Sequence, residues 1–165
     1  MQNKHKRPAA FFDMDGTLCA PRFIQSDGQG VLGFAYDEWV EYCEKTQEHA
    51  YDNCPLIRPT VDYAKRKKEE GYAVYILTIA CSEGEKTAKR HYVKEHGLDN
   101  VFDDIIFVNG DNEKIPFVEK YAENYGIDVR ACVIVEDTLG TLFEARAKDI
   151  QSVHISNIFT DSVTK

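Results

Sequence analysis

Short apolar runs rich in Val, Ile, Phe and Tyr punctuate the chain at Ala9–Phe12, Ala73–Leu77, Ile105–Val108, Ala131–Val135 and, more weakly, Val153–Ile155. Runs of this length and composition read as buried strands. Between them the apolar positions fall at helical spacing instead. Ile115, Val118, Tyr121, Ala122 and Tyr125 form one such stripe, and Leu139, Leu142, Phe143 and Ala145 another. A further helix is predicted over Thr60–Glu70, starting just after Pro59 and stopping at Gly71.

Strand and helix therefore alternate, which predicts right-handed βαβ units. The expected architecture is an α/β, three-layer, Rossmann-like parallel sheet of about five strands with helices on both faces. One region departs from the alternation. Residues 22–34 read as a β-hairpin flap after the first strand, with a glycine-rich turn over Ser26–Gly30. Tyr36, Trp39, Val40 and Cys43 then predict a helix from about Tyr36 to His49.

In open α/β sheets ligands bind beyond the carboxyl ends of the strands. The residues standing there are Asp13 and Asp15, Thr78, the turn Asn109–Lys114, and Glu136-Asp137. Asp13 and Asp15 are two apart, so at a strand end both can face one cleft. Two carboxylates that close repel, and a divalent cation is the usual remedy. The plain alternative is a strand-end turn with an Asx cap, which an Asp-Gly pair alone would satisfy.

Composition narrows the setting. At 165 residues the chain suits one domain over 1–165, and 43% hydrophobic with 29% charged residues is ordinary for a globular protein. A net charge of −8 disfavours a nucleic-acid partner, because the overall field repels phosphate backbones. The basic cluster Lys4-His5-Lys6-Arg7 is followed by too short an apolar run for an export signal. No run is long enough to span a membrane. Five scattered cysteines without a CxxC pair argue against disulfides and zinc, and fit reduced thiols in a cytoplasm.

The octet Phe11-Phe12-Asp13-Met14-Asp15-Gly16-Thr17-Leu18 resembles the first motif of the haloacid dehalogenase superfamily. The superfamily's later motifs have counterparts in order. Val74–Thr78 is similar to its strand ending in Thr or Ser, Lys114-Ile115-Pro116-Phe117 to its lysine motif, and Val133–Asp137 to its strand ending in an acidic pair. The resemblance implies a small, capless phosphatase that passes through an aspartyl phosphate. Asp13 would be the nucleophile and Asp15 the acid and base. Thr78 and Lys114 would hold the transferring phosphate, with Lys120 a competitor for the lysine role. Mg²⁺ would sit among Asp13, the backbone carbonyl of Met14 and Asp137, with Glu136 a further ligand through water or an orienting group. Glu136-Asp137 could equally cap the following helix.

The chain departs from the pattern in two places. No acid follows the fourth motif in Thr138–Leu142, and Ile79-Ala80-Cys81 follows Thr78 where a second small polar residue is usual, which leaves Ser82 to contribute. Neither usual insertion point has room for a full cap. The hairpin 22–34, the helix at about 36–49 or a second subunit of a homo-oligomer would have to cover the cleft. The alternative is a large substrate that closes the site, so the expected partner is a small-molecule phosphate ester or a phosphoprotein.

Other motifs count for less. Gly28–Gly33 fits GxGxxG but does not follow a core strand, Gly84–Thr87 lacks the earlier P-loop glycine, and His91 and His96 are five apart rather than four. The competing functions are a phosphoacceptor module like a response-regulator receiver, and a non-catalytic phosphate-binding member of the same fold. The first is disfavoured by chain order, since receivers carry their acidic pair on the first strand.

Overall fold

The computed structural model describes residues 7–25 and 27–163, and side chains as far as Phe159. Lys4, His5 and Lys6 of the basic cluster and Ser26 of the hairpin turn lie outside the described residues. In chain order the elements are β1 (Ala9–Phe12), β2 (Phe23–Ile24), β3 (Gly30–Val31), α1 (Tyr36–Thr46), α2 (Arg58–Glu69), β4 (Ala73–Ile79), α3 (Glu83–Glu95), β5 (Asp104–Val108), α4 (Asp111–Tyr125), β6 (Cys132–Glu136), α5 (Leu139–Ala147), β7 (Gln151–His154) and α6 (Ile155–Val163).

Five strands form one parallel sheet in the order β5-β4-β1-β6-β7. β1 is central, and Phe12 lies opposite Ile76 on β4 and Val135 on β6. Its side chains serve two cores. Ala9 and Phe11 pack with Leu77, Ile115, Val118 and Leu142 beneath α4 and α5, while Ala10 and Phe12 pack with Val61, Ala64, Ile76 and Tyr92 beneath α2 and α3. Burial on both faces explains why β1 reads as an unbroken apolar run.

Several boundaries shift. β4 continues two residues past Leu77, so Thr78 lies inside the strand. β6 begins at Cys132 because Ala131 belongs to a 3₁₀ turn, and β7 stops at His154, with Ile155 opening α6. α2 starts at Arg58, taking Pro59 into its first turn, where the missing N–H has no helical partner to lose. The helix expected over 36–49 is helical to Thr46 and finishes as a 3₁₀ turn over Gln47–His49.

β2 and β3 pair antiparallel, Phe23 opposite Val31. Phe23 is buried among Phe34, Trp39, Tyr42 and Tyr51, so an aromatic cluster joins hairpin to α1. α1 in turn closes on the start of α3. Glu44 Oε1 accepts the Gly84 N–H at 2.8 Å, and a Cβ on Gly84 would meet the Cys43 carbonyl oxygen at 2.7 Å. The Gly84–Thr87 segment is thus helix-start packing, and the GxGxxG glycines fall on the exposed hairpin.

Candidate active site

The carboxyl ends of β1, β4 and β6 lie side by side because those strands are neighbours in the sheet. β1 ends at Phe12, and the Asp13 N–H still donates to the Val135 carbonyl at 3.0 Å, which extends the pairing one step and fixes the Asp13 backbone. The chain then turns. Thr17, Leu18 and Cys19 direct their N–H groups at the Met14 carbonyl, at 3.2, 2.8 and 3.0 Å. Gly16 makes the turn with φ +76°. Its missing Cβ matters twice, since one placed there would lie 2.3 Å from Asp137 Oδ2.

That turn corrects one expectation. The Met14 carbonyl has its lone pairs occupied by three backbone donors and has none free for a cation. No hydrogen bond among the described residues ends on the Asp15 carbonyl. The direction of a backbone carbonyl in a tight turn is not written in residue type, so the choice between neighbouring carbonyls is not legible in the sequence.

Lys114 arrives from the first turn of α4, directly after β5. Its Nζ lies 3.1 Å from Asp13 Oδ1, 2.7 Å from Glu136 Oε2 and 3.2 Å from Asp111 Oδ1, and the residue is 2% exposed. Lys120, the competitor, is exposed and lines a groove with Tyr75 and Tyr125 instead. Glu136 spends its second oxygen on the N–H groups of Asp137 and Thr138, at 3.2 and 3.3 Å, so it steadies both Lys114 and the turn into α5. His154, at the end of β7, donates from Nε2 to the Asp137 carbonyl at 3.1 Å and accepts the Ser156 N–H on Nδ1.

Asp13, Glu136 and Asp137 can each offer a carboxylate oxygen within 4.8 Å of the others. Burial pushes the Asp13 carboxyl up to about 6, against the pull of Lys114 and with the charge of Asp15 adding to the rise. Burial, then the Asp13 charge, pushes Glu136 up to about 8 despite Lys114. The cluster is short of positive charge. A set of hard oxygen donors in that condition fits Mg²⁺.

A second buried lysine stands on the other side of Asp15. Lys89, from the middle of α3 and fully buried, places Nζ 2.7 Å from Asp15 Oδ2, 3.0 Å from Glu85 Oε1, 3.0 Å from Thr78 Oγ1 and 2.5 Å from the Ile79 carbonyl. Burial alone favours loss of its proton, but Asp15 and then Glu85 outweigh that and hold it above the ordinary lysine value. Ser82 is engaged on both sides, its hydroxyl accepting the Glu85 N–H at 3.1 Å to cap α3 and donating to the Glu44 carboxylate. Sequence reasoning misses Lys89 and Glu85. Their signal is a charged pair in line with Ala88 and Tyr92 on an otherwise buried face.

The structure thus brings Asp13, Asp15, Thr78, Lys114, Glu136 and Asp137 to one edge of the sheet from four separate stretches of chain. No protein-family model matches the chain, and no curated protein matches it. Solved structures do. A haloacid dehalogenase-like family hydrolase from Xanthomonas campestris aligns at 11% identity with a TM-score of 0.59, over 93% of this chain and 83% of that one. A hydrolase of the haloacid dehalogenase-like family from Streptococcus pneumoniae aligns at 17% identity and 0.56, over 89% and 83%. A protein provisionally described as a phosphoglycolate phosphatase, from Lactobacillus delbrueckii subsp. bulgaricus, aligns at 12% and 0.61, over 89% and 85%. At such identities the likeness establishes the fold. It is the fold that the resemblance in residues 11–18 implies.

Proposed function

From the haloacid dehalogenase-like hydrolase fold as premise, we propose that this protein is a Mg²⁺-dependent phosphatase, hydrolysing a phosphomonoester through an aspartyl phosphate on Asp13. The observation that carries the proposal is the meeting of Asp13 with Lys114, 101 residues apart in sequence and 3.1 Å apart in space, beside the Asp13–Glu136–Asp137 cluster. Asp13 attacks phosphorus with one carboxylate oxygen while the ester P–O bond breaks. Asp15 gives its proton to the departing alkoxide. A water then loses a proton to Asp15 and attacks the phosphorus, releasing inorganic phosphate and the free Asp13 carboxylate.

Thr78 donates its hydroxyl hydrogen to a phosphate oxygen, and Lys114 supplies fixed positive charge next to the nucleophile. Asp13, Asp137 and the Asp15 carbonyl would hold Mg²⁺, with Glu136 orienting the set from behind. When bound, the cation neutralises the phosphate oxygens and the crowded carboxylates. The hairpin and α1, joined by their aromatic cluster, would give partial cover to an uncapped, single-domain enzyme, which suits a small phosphate ester or a phosphoprotein.

Purified protein with p-nitrophenyl phosphate and Mg²⁺ tests the proposal. Turnover should vanish with EDTA and in Asp13→Asn. Metal-independent turnover, or full activity in Asp13→Asn, rejects it. No turnover, combined with Mg²⁺-dependent binding of beryllofluoride, would assign the non-catalytic phosphate-binding role instead.

A further inference from the structure

We infer that Lys89, backed by Glu85, is a positioning residue that sets the orientation of both Asp15 and Thr78 for phosphoryl transfer. The inference rests on the phosphatase reading above and adds to it a second lysine. An ammonium has three N–H donors, and four oxygens already surround this one: Asp15 Oδ2, Glu85 Oε1, Thr78 Oγ1 and the Ile79 carbonyl, all within 2.5–3.0 Å. It has no capacity left for a substrate. Whatever Lys89 contributes passes through its neighbours.

The hydrogen-bond directions say what that is. Thr78 Oγ1 accepts from Lys89, so the hydroxyl's own hydrogen is left to donate elsewhere, which is what a phosphate oxygen requires. Asp15 spends Oδ2 on Lys89, which leaves Oδ1, met by the Cys19 thiol only at a long 4.0 Å, as the oxygen to carry and deliver a proton; the side chain keeps 35% exposure. One buried cation thereby turns two neutral-looking choices into fixed ones. Glu85 secures the cation. Its Oε2 accepts the Cys81 N–H at 2.7 Å, tying the β4–α3 connection to the same cluster.

A merely structural role is the weaker account. Buried ion pairs contribute little net stability compared with well-packed apolar side chains. The fold could fill this position with a methionine at similar volume. A lysine bridging the acid-base carboxylate and the phosphate hydroxyl instead matches the demand for side chains locked by outer hydrogen bonds.

Leaving-group dependence separates the two roles. Phenyl phosphate has a poorer leaving group than p-nitrophenyl phosphate and depends more on proton donation. Lys89→Met should lower kcat for phenyl phosphate ~100-fold or more and that for p-nitrophenyl phosphate ~10-fold, with KM and the Mg²⁺ dependence within a few fold of wild type. Glu85→Gln/Lys89→Met removes the unpaired buried carboxylate and should show the same split if the single variant folds poorly. Equal losses for both esters, or none, in a folded variant overturn the inference while leaving the phosphatase proposal standing. A wild-type protein that hydrolyses neither ester sinks the phosphatase proposal and this inference with it.

Discussion

Gly16→Ala probes the close packing of the turn after β1 against Asp137. The residue has φ +76°, a conformation that costs an L-residue about 1–2 kcal/mol, and the added Cβ would lie 2.3 Å from Asp137 Oδ2, where ordinary contact begins at 3.4 Å. The carboxylate must therefore retreat by roughly 1 Å, the difference of those two distances. Displacements of about 1 Å at a catalytic centre cost on the order of 100-fold in rate. Disturbed metal-site geometry typically costs ~10–100-fold in affinity. Gly28 supplies the control, with φ +79° and nothing within 4 Å of where its Cβ would stand. Both alanine variants should lose ~1–2 kcal/mol, or about 2–8 °C in Tm for a chain of this size. Only Gly16→Ala should also move the Mg²⁺ midpoint, read from Tm against Mg²⁺ concentration, upward by ~10-fold or more. Equal Mg²⁺ midpoints for the two variants would refute the placement of Asp137 in a cation site.

Two further outcomes follow from geometry and titration. In EDTA, Asp13 and Glu136 ionise at about 6 and about 8, both above their ordinary values of 3.8 and 4.5. The protonated forms are favoured in the fold, so this stabilisation is complete below the ordinary values and is lost as pH rises through the folded ones. Thermal scans should show Tm of the metal-free protein falling between about pH 4 and 8, with saturating Mg²⁺ reducing the fall; a Tm that rises over that span contradicts the assignment. Gly84→Ala should destabilise by about 1–3 kcal/mol despite alanine's better helix propensity, because its Cβ meets the Cys43 backbone at 2.7 Å. Urea denaturation reads that loss, and a neutral or stabilising result would show α1 free to move off α3.

Much of this is legible in the residues alone. β1 and β6 are buried along their whole length and β4 along most of it, so each appears as a continuous apolar run with no competing period. The acids that end β1 and β6, and the lysine after β5, stand where such runs stop, and neighbouring strands bring them together. Lys89 escapes such a reading for a physical reason. A Glu and a Lys four apart on a helix are the ordinary pattern of a solvated pair, and only the packing of α3 beneath α1 shows this pair to be interior. Ser82 looks available for phosphate in the sequence but caps α3 with its oxygen and gives its hydrogen to Glu44. The Met14 carbonyl is misassigned from sequence because hydrogen-bond direction within a turn emerges only with the backbone.

The claim on which the account turns is that Asp13 accepts the phosphoryl group. Acid-quenching the protein during turnover of p-nitrophenyl phosphate with Mg²⁺, then reducing with borohydride, converts an aspartyl phosphate to homoserine, which peptide mass spectrometry locates. The account predicts the conversion at position 13 and at no other acid. Turnover without it, or conversion at Asp15 in its place, would contradict the central claim.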